Sequence, residues 1–136
     1  MIGIGDAIIA TYGKGVAFDT NILLDMTRLK IDIFDQIHSL VGDAPLSIPI
    51  QVKQEIQTLS IEKGKTGSAA RVALDALKKY HIKVISAIGE TGDEALRDLA
   101  KKGYVIATND RGLRQSLKNA PQRPIVVRQS KYLDWY

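Results

Sequence analysis

The sequence predicts an α/β fold, a three-layer α/β/α sandwich with a central, mostly parallel sheet of about five strands. Short apolar runs, each long enough for a buried strand, alternate with segments whose apolar residues recur at helical spacing. Two of these runs close with an acidic residue, Asp19 and Asp110. Such alternation is typical of a parallel sheet with right-handed crossover connections.

The first half of the chain is predicted to hold two strands and three helices. Gly15–Asp19 has a continuous apolar centre and is predicted to form the first strand. A helix follows from about Asn21, and Asp32 is placed to cap a second helix. Pro45–Ile50 is a short apolar strand, and Gln51–Leu59 has its apolar residues on one helical face.

The second half continues the alternation. Two glycines make Glu62–Gly67 a predicted flexible turn, after which Ser68 is placed to cap a helix. Ile82–Ile85 is a strand, and Asp93–Lys102 is a helix that Gly103 would end. The remaining predicted elements are a strand at Tyr104–Ala107, a short helix at Arg111–Lys118 and a strand at Ile125–Val127.

The 136 residues are expected to form one domain, 1–136, with an N-terminal extension at 1–14 and an aromatic tail at 129–136. The absence of cysteine excludes disulfides, thiolate metal sites and cysteine nucleophiles. No stretch reaches the ~18 apolar residues of a membrane span, and the first residues lack signal-peptide features. We therefore expect a cytoplasmic protein with no membrane partner.

Positive charge is concentrated near the end of the chain. Residues 1–110 hold 13 Lys or Arg and 14 Asp or Glu, whereas residues 111–136 hold six Lys or Arg and one acid, Asp134. A basic strip beside an acidic pocket suits a polyanion, although a charge run is as often only a solvated surface. Within this strip we predict that Arg111, Arg114 and Lys118 bind nucleic acid.

Four acidic residues are placed where they can meet. Asp19 and Asp110 end strands, Glu55 borders the apolar face of its helix, and Asp93 begins a helix. In open α/β sheets the ligand crevice lies beyond the carboxyl ends of the strands. Two charges 4 Å apart at an effective dielectric near 20 repel by roughly 4 kcal/mol, so a gathered set indicates a hard divalent cation and metal-assisted chemistry on phosphates.

Each acid also has an ordinary structural interpretation. Asp93 and Asp110 precede helices and can act as caps, and Glu55 alone is an unremarkable surface glutamate. The combination of four compatible positions favours a site over independent caps. Other acids are expected to be solvated, with Glu94 close enough to assist; they are Asp25, Asp75, Glu94 and Asp98.

The chain resembles PIN-domain proteins in four segments that together span residues 16–128. These are Phe18-Asp19-Thr20-Asn21-Ile22-Leu23-Leu24, Glu55 after Pro49, Gly92-Asp93-Glu94-Ala95-Leu96, and Ile106-Ala107-Thr108-Asn109-Asp110-Arg111-Gly112-Leu113. The resemblance implies a Mg²⁺- or Mn²⁺-dependent ribonuclease that leaves a 5′-phosphate and a 3′-hydroxyl.

Carried over by motif, the resemblance implies an acidic tetrad of Asp19, Glu55, Asp93 and Asp110. Asp19 and Asp110 would be direct metal ligands, and Glu55 and Asp93 would hold metal-bound water or a second ion. Supporting hydrogen bonds would come from Thr20, Asn21, Thr108 and Asn109.

Two branches of this family are similar to the chain. VapC-type toxins are small PIN ribonucleases neutralised by an antitoxin. The 15 or so residues before the first strand favour instead archaeal relatives of nucleases that process small-subunit ribosomal RNA, which implies a ribosome-assembly factor as partner. Apolar early helices suggest a homodimer, and the aromatic tail is expected to join a subunit interface or fold back on the core.

Two other function classes remain open at this stage. One is a non-catalytic RNA-binding scaffold with the same fold. The other is an aspartyl-phosphate phosphotransfer domain, since those also place an Asp after the first strand. The phosphatase version needs a second Asp where Asn21 stands, and this weakens it.

Overall fold

A computed structural model describes residues 14–136, so the predicted N-terminal extension lies outside the described residues except for Lys14. The strands are β1 (Val16–Phe18), β2 (Leu46–Pro49), β3 (Lys83–Ile85), β4 (Val105–Ala107), β5 (Ile125–Arg128) and β6 (Tyr132–Trp135). The helices are α1 (Thr20–Arg28), α2 (Ile33–Val41), α3 (Ile50–Ser60), α4 (Gly64–Lys79), α5 (Gly92–Lys101) and α6 (Arg111–Ser116).

The strands form one sheet in the order β3-β2-β1-β4-β5-β6. Strands β1 to β5 are parallel, and β6 runs antiparallel to β5. The chain moves outward from β1 to β3 on one side and from β4 to β6 on the other, so the order reverses between β1 and β4. Ligands of open α/β sheets bind at this reversal, beyond the carboxyl ends of the strands.

The central strands are covered on both faces. Every residue of Val16–Phe18 and Val105–Ala107 is buried, which a parallel sheet achieves when helices lie on both sides. Helices α1 and α3 pack against α4, α5 packs against α6, and α2 lies against β6. No helix within residues 14–136 has the length and apolar character needed to cross a membrane.

Local sequence signals begin and end the helices, but the side-chain cap of α5 is Thr91, whereas Asp93, which the sequence allowed as a cap, lies in the first turn. Asp32 accepts a hydrogen bond from the Asp35 backbone nitrogen at the start of α2, and Thr91 accepts one from the Glu94 nitrogen at the start of α5. Gly103 follows α5 with φ +98°. The predicted helix end at Gly103 is therefore confirmed, because glycine adopts this left-handed conformation without a Cβ penalty.

The sheet has six strands rather than about five, because the aromatic tail forms β6. Gln129 and Ser130 have φ +53° and +54°, and the Lys131 nitrogen donates to the Arg128 carbonyl at 3.0 Å. A two-residue turn with both φ values positive connects the strands of a hairpin. The tail thus folds back on the core, one of the two outcomes predicted for it.

The predicted flexible turn at Glu62–Gly67 is wrong in its second half. Helix α4 begins at Gly64, and its N-cap residue Lys63 makes no side-chain cap, so Ser68 is not the cap. A Cβ on Gly67 would lie 1.7 Å from the Glu62 carbonyl oxygen. The glycine is needed for this close approach rather than for a turn.

Candidate active site

The two strands at the centre of the sheet bring two of the predicted acids side by side. Strands β1 and β4 are neighbours, with Phe18 paired to Ala107. The residues that follow these strands, Asp19 and Thr108, therefore leave the sheet at the same edge. The Asp19 nitrogen donates to the Ala107 carbonyl at 2.9 Å, which extends the pairing by one residue.

Asp19 is buried, with 4% of its surface exposed. Its Oδ1 accepts a hydrogen bond from the Thr20 nitrogen at 2.7 Å, and its Oδ2 accepts one from Thr108 Oγ1 at 2.7 Å. Burial raises the pKa of Asp19 to about 6, the two hydrogen bonds oppose that rise, and the charges of Asp93 and Glu55 add to it. The two hydrogen bonds fix the orientation of this carboxylate, while its burial disfavours the charged form.

Glu55, in the middle of α3, connects this helix to α1 and α5 by hydrogen bonds. Its Oε1 accepts from the Gly92 nitrogen at 2.8 Å, at the start of α5. Its Oε2 accepts from Thr20 Oγ1 at 2.6 Å, at the start of α1. Both carboxylate oxygens therefore have fixed directions, and the side chain points towards Asp19 rather than into bulk solvent.

Asp93 lies in the first turn of α5, where its charge complements the positive end of the helix. Burial raises its pKa, and the nearby charges of Asp110 and Glu55 raise it further. The Arg97 charge one turn later opposes the rise, and Arg97 Nη2 lies 3.9 Å from Asp93 Oδ2. Asp93 thus interacts electrostatically with all three other acids.

Asp110 caps α6, with Oδ1 accepting from the Leu113 nitrogen at 2.6 Å. Its own backbone nitrogen donates to Thr108 Oγ1 at 3.0 Å. Because the same hydroxyl donates to Asp19, Thr108 connects the two acids that follow β1 and β4. Thr108 is fully buried, so this connection has no competing water.

A cleft of about 500 Å³ opens in front of Asp19. Three of the four acids line it. Asp110 does not line it, but the charge of Asp110 raises the pKa of Asp93. The lining residues are Asp19, Thr20, Asn21, Gln51, Gln54, Glu55, Thr58, Leu59, Glu90 and Asp93.

Gln51 fixes the loop that leads into α5. Its Nε2 donates to the carbonyls of Ala87 and Gly89 at 2.8 and 2.7 Å. Its Oε1 is buried and has no hydrogen-bond partner among residues 14–136. No local pattern identifies Gln51, because its role depends on a loop 36 residues further along the chain.

Comparison with known proteins places this arrangement in a family. A family model described as a PIN-like domain matches residues 16–130. The chain belongs to the PIN-like domain family.

Two curated relatives match most of this PIN-like domain. One is Ribonuclease VapC4 of Methanocaldococcus jannaschii, 30% identical over 122 residues, which cover 85% of this chain and 92% of the relative. The other is Ribonuclease VapC9 of Archaeoglobus fulgidus, 35% identical over 111 residues, which cover 80% of this chain and 77% of the relative. The resemblance inferred from the motifs is therefore confirmed at the level of the family.

The donor chemistry of the PIN-like domain suits a hard divalent cation, since carboxylate oxygens are the ligands that Mg²⁺ and Mn²⁺ take in proteins. Among residues 14–136, no three Asp, Glu or His side chains already converge as a metal-binding group. Asp93 and Asp110 are half-buried, whereas Asp19 is buried and has both carboxylate oxygens oriented by hydrogen bonds. The carboxylate oxygens of these residues therefore match the chemistry of such an ion.

Two of the four expected supporting residues contact the acids of the PIN-like domain. Thr20 donates to Glu55, and Thr108 donates to Asp19. Asn21 lines the cleft but is exposed, and its side chain makes no hydrogen bond to the described residues. Asn109 points away from the tetrad.

Asn109 has a different partner, and this corrects the expectation that Asp25 is solvated. Asn109 Nδ2 donates to Asp25 Oδ2, and Asn109 Oδ1 accepts from the Val127 nitrogen at 2.9 Å. Asp25 is buried, and burial raises its pKa against the opposing effects of Asn109 and Arg28. An asparagine next to the acidic motif thus holds α1 against β5.

Two of the other three acids expected in solvent accept hydrogen bonds from backbone nitrogens. Glu94 Oε2 accepts from the Glu90 nitrogen at 2.8 Å, which closes the loop before α5. Asp98 Oδ2 accepts from the Ile88 nitrogen and from Lys102 Nζ, and only 16% of its side chain is exposed, so it is not solvated. Asp75 is exposed, as predicted.

The predicted nucleic-acid-binding residues lie on and after α6. Arg111 and Lys118 are exposed, and Arg114 is half-buried. None of the three forms an ion pair within the described part of the chain. Their positive charge therefore remains available beside Asp110.

Proposed function

We propose that this PIN-like domain is a divalent-metal-dependent endoribonuclease of the toxin type. One observation carries the proposal: Asp19, Glu55 and Asp93 line one cleft at the strand-order reversal, with Asp110 within electrostatic range of Asp93. Charges that raise the pKa of Asp19 and Asp93 make this cluster costly for folding alone. Such clusters are typical of sites that bind cations and act on phosphates.

The relatives support the reaction class. Both are named ribonucleases, and they match 85% and 80% of the chain. The same relatives favour the toxin branch over small-subunit ribosomal RNA processing. On this proposal, an antitoxin neutralises the enzyme, and RNA is its substrate.

In this proposal Asp19 is the fixed ligand, since both of its oxygens are oriented by hydrogen bonds. Asp93 and Asp110, which are more exposed, complete the ion's coordination. Glu55 has both oxygens oriented by Thr20 and Gly92 and holds water or a second ion at the cleft wall. The Arg97 charge opposes the rise that burial and the neighbouring acids cause in the pKa of Asp93.

A bound Mg²⁺ or Mn²⁺ supplies a nucleophilic water and stabilises charge on the leaving oxygen. The chain itself contributes the orientation of Asp19 and Glu55 and the exclusion of solvent around Asp19. The open cleft in front of these residues accommodates a phosphodiester. Cutting within a chain, which leaves a 5′-phosphate and a 3′-hydroxyl, is the expected outcome.

The test is cleavage of labelled single-stranded RNA by the full chain with Mn²⁺, with Mg²⁺ and with EDTA. Asp19→Asn should lower kcat/KM by at least 100-fold, an order of magnitude typical for the loss of a metal ligand or an electrostatic group. Asp75→Asn is the matched control, because Asp75 is an exposed aspartate outside the cleft. Equal loss in both variants, or undiminished cleavage by Asp19→Asn, refutes the proposed site.

Two further outcomes separate the alternatives. RNA that binds but is never cut in any divalent ion identifies the chain as a non-catalytic scaffold. An acid-labile phosphate on Asp19 after incubation with a phosphoryl donor identifies a phosphotransfer domain. The homodimer and the ribosome-assembly partner remain predictions that ultracentrifugation and pull-down with ribosomal subunits address.

A further inference from the structure

Two arginines lie over the ring of one tyrosine near the end of the chain. The Arg114 guanidinium carbon is 5.0 Å from the centroid of the Tyr136 ring, and that of Arg128 is 5.8 Å from it. Arg114 comes from α6, Arg128 ends β5, and Tyr136 follows β6. We call these three residues the arginine–tyrosine platform.

The platform is held in place by backbone contacts. The Tyr136 nitrogen donates to the Pro124 carbonyl at 2.8 Å. Arg123 Nε and Nη2 donate to the main-chain oxygen of Tyr136 at 2.9 and 2.7 Å, and Arg128 Nη2 donates to the Trp135 carbonyl at 3.1 Å. The Trp135 carbonyl is neutral, so this hydrogen bond positions Arg128 without cancelling its charge.

Within residues 14–136, Arg114 and Arg128 form no ion pair with an acidic side chain, and the three side-chain ion pairs there all lie elsewhere. Asp134, the only acid after Asp110, has its Oδ1 engaged by the Trp135 nitrogen. The buried Nε of Arg114 has no hydrogen-bond partner among the described residues. A buried donor without a partner is unfavourable unless an acceptor approaches it.

The platform is joined to the acidic cluster through α6, because Asp110 caps this helix and Arg114 lies on it. Strand β5 is parallel to β4, so Arg128 ends at the same edge of the sheet as the residues that follow β4. Arg114 lies four residues after Asp110, which is about 6 Å along a helix. A polymer whose phosphate sits at the acids would pass this surface.

We propose that the arginine–tyrosine platform binds unpaired nucleotides of the RNA next to the cleavage site. A base stacks on the Tyr136 ring, which remains open to a ligand because the residue is 43% exposed. Neighbouring phosphates contact Arg114 and Arg128. The inference rests on the proposed function and adds a preference for single-stranded RNA.

The stacking requirement favours RNA over a protein partner. Base–aromatic stacking and a cationic groove are the two components of single-strand binding surfaces, and both are present here. Tyr132 is also exposed and pairs with Arg128 across the hairpin, which extends the aromatic surface towards the cleft.

The test is binding of a fluorescein-labelled single-stranded RNA of about 12 nucleotides, measured by anisotropy with the full chain in EDTA. Tyr136→Ala should weaken binding about fivefold or more, and Tyr136→Phe should restore it because the ring is kept. Arg114→Gln or Arg128→Gln should weaken binding and reduce the salt slope by roughly one. Tyr136→Ala should leave the salt slope unchanged.

Tyr80→Ala is the matched control. Tyr80 is 42% exposed and has Lys79 5.4 Å from its ring centroid, but it lies at the end of α4 away from the acids. An RNA of the same length without bases is a second control, which should bind wild type and Tyr136→Ala equally. Melting curves verify that each variant is folded.

Binding by Tyr136→Ala within twofold of wild type overturns the platform, as does an equal loss with Tyr80→Ala. An unchanged RNA affinity together with a loss of self-association assigns the surface to a subunit interface and also overturns it. Cleavage with Mn²⁺ is measured separately. Tyr136-dependent binding without cleavage would refute the proposed function and leave the platform standing.

Discussion

Glu55 and Gly92 are in such close contact that a side chain at position 92 would collide with the Glu55 carboxylate. Glu55 Oε1 lies 2.8 Å from the Gly92 nitrogen, and a Cβ built on Gly92 would lie 2.6 Å from the same oxygen. This contact joins the middle of α3 to the start of α5. It also places Asp93, the next residue after Gly92, against the cleft.

Gly92→Ala should therefore impair the site more than the fold. The added methyl pushes the Glu55 carboxylate out of its hydrogen bonds, and we expect kcat/KM to fall by about tenfold or more. The melting temperature should change little, because alanine has a better helix propensity than glycine. Steady-state cleavage with Mn²⁺ and a thermal melt measure the two effects.

The double variant with Glu55→Asp is the control for this prediction. The shorter carboxylate leaves room for the methyl, so the cost of Gly92→Ala should be smaller in that background. Strictly additive costs would show that the two residues do not interact through this contact.

Thr108 controls the pKa of Asp19. Its hydroxyl donates to Asp19 Oδ2, and this hydrogen bond lowers the Asp19 pKa against the effect of burial. Thr108→Val removes the donor with almost no change in shape, so the pKa of Asp19 should rise above about 6. A ¹³C carboxyl titration of the metal-free protein measures this rise.

The rise in the Asp19 pKa should also appear in the activity of Thr108→Val, because it moves the acidic limb of the kcat/KM–pH profile to higher pH. Thr108→Ser keeps the hydroxyl and should titrate as wild type. An unchanged Asp19 pKa in Thr108→Val would mean that the hydroxyl does not stabilise the charged carboxylate.

Asn109 should matter for stability rather than for chemistry. Asn109→Ala leaves the buried Asp25 carboxylate and the Val127 nitrogen without partners, at a cost of about 2–4 kcal/mol. Asn109→Asp adds a charge beside Asp25, so its loss should be larger at pH 7.5 than at pH 5, where the two acids can share a proton. Urea unfolding at both pH values measures the difference, with Asn119→Ala, an exposed asparagine, as the control.

If Asn109 instead acts directly in cleavage, Asn109→Ala will lose activity at temperatures where it is fully folded. Comparison of kcat/KM at 10 °C with the fraction folded at that temperature separates the two roles.

The parts of this molecule that depend on local pattern could be predicted from the sequence. The apolar run at Val16–Phe18 must be buried on both sides, and the acids after β1 and β4 must share an edge because parallel strands end together. The contacts of Thr20 and Thr108 with the acids were expected from the family resemblance, which also named Asn21 and Asn109.

The features that were missed depend on residues far apart in the chain. Asp25 is buried because Asn109, 84 residues later, supplies its hydrogen bond. Strand β6 depends on a turn whose two residues, Gln129 and Ser130, lack the Asn-Gly signal that such turns usually carry. Gly67 serves a helix contact that no local rule distinguishes from a turn.

The buried charge of Asp19 makes the stability of the protein depend on pH in a defined direction. The pKa of Asp19 is about 6 in the folded protein, against 3.8 for an ordinary aspartate. Below pH 3.8 the folded and unfolded chains both carry the proton, and the stabilisation that the proton gives the folded state is fully present. Between 3.8 and about 6 only the folded chain keeps the proton, so this stabilisation is lost as pH rises, and above about 6 it is gone.

Asp19→Asn removes this dependence. Relative to the variant, wild type in EDTA should lose about 1.4 kcal/mol of unfolding free energy between pH 5 and pH 7.5. At pH 7.5 Mn²⁺ should restore wild type by about 2.7 kcal/mol at one hundred times its dissociation constant, and it should leave Asp19→Asn nearly unchanged. Urea unfolding at the two pH values, with and without Mn²⁺, measures both effects, and Asp75→Asn serves as the exposed control. A metal response of equal size in wild type and Asp19→Asn would place the ion elsewhere in the protein, since the buried carboxylate could not then be the group whose charge the ion offsets.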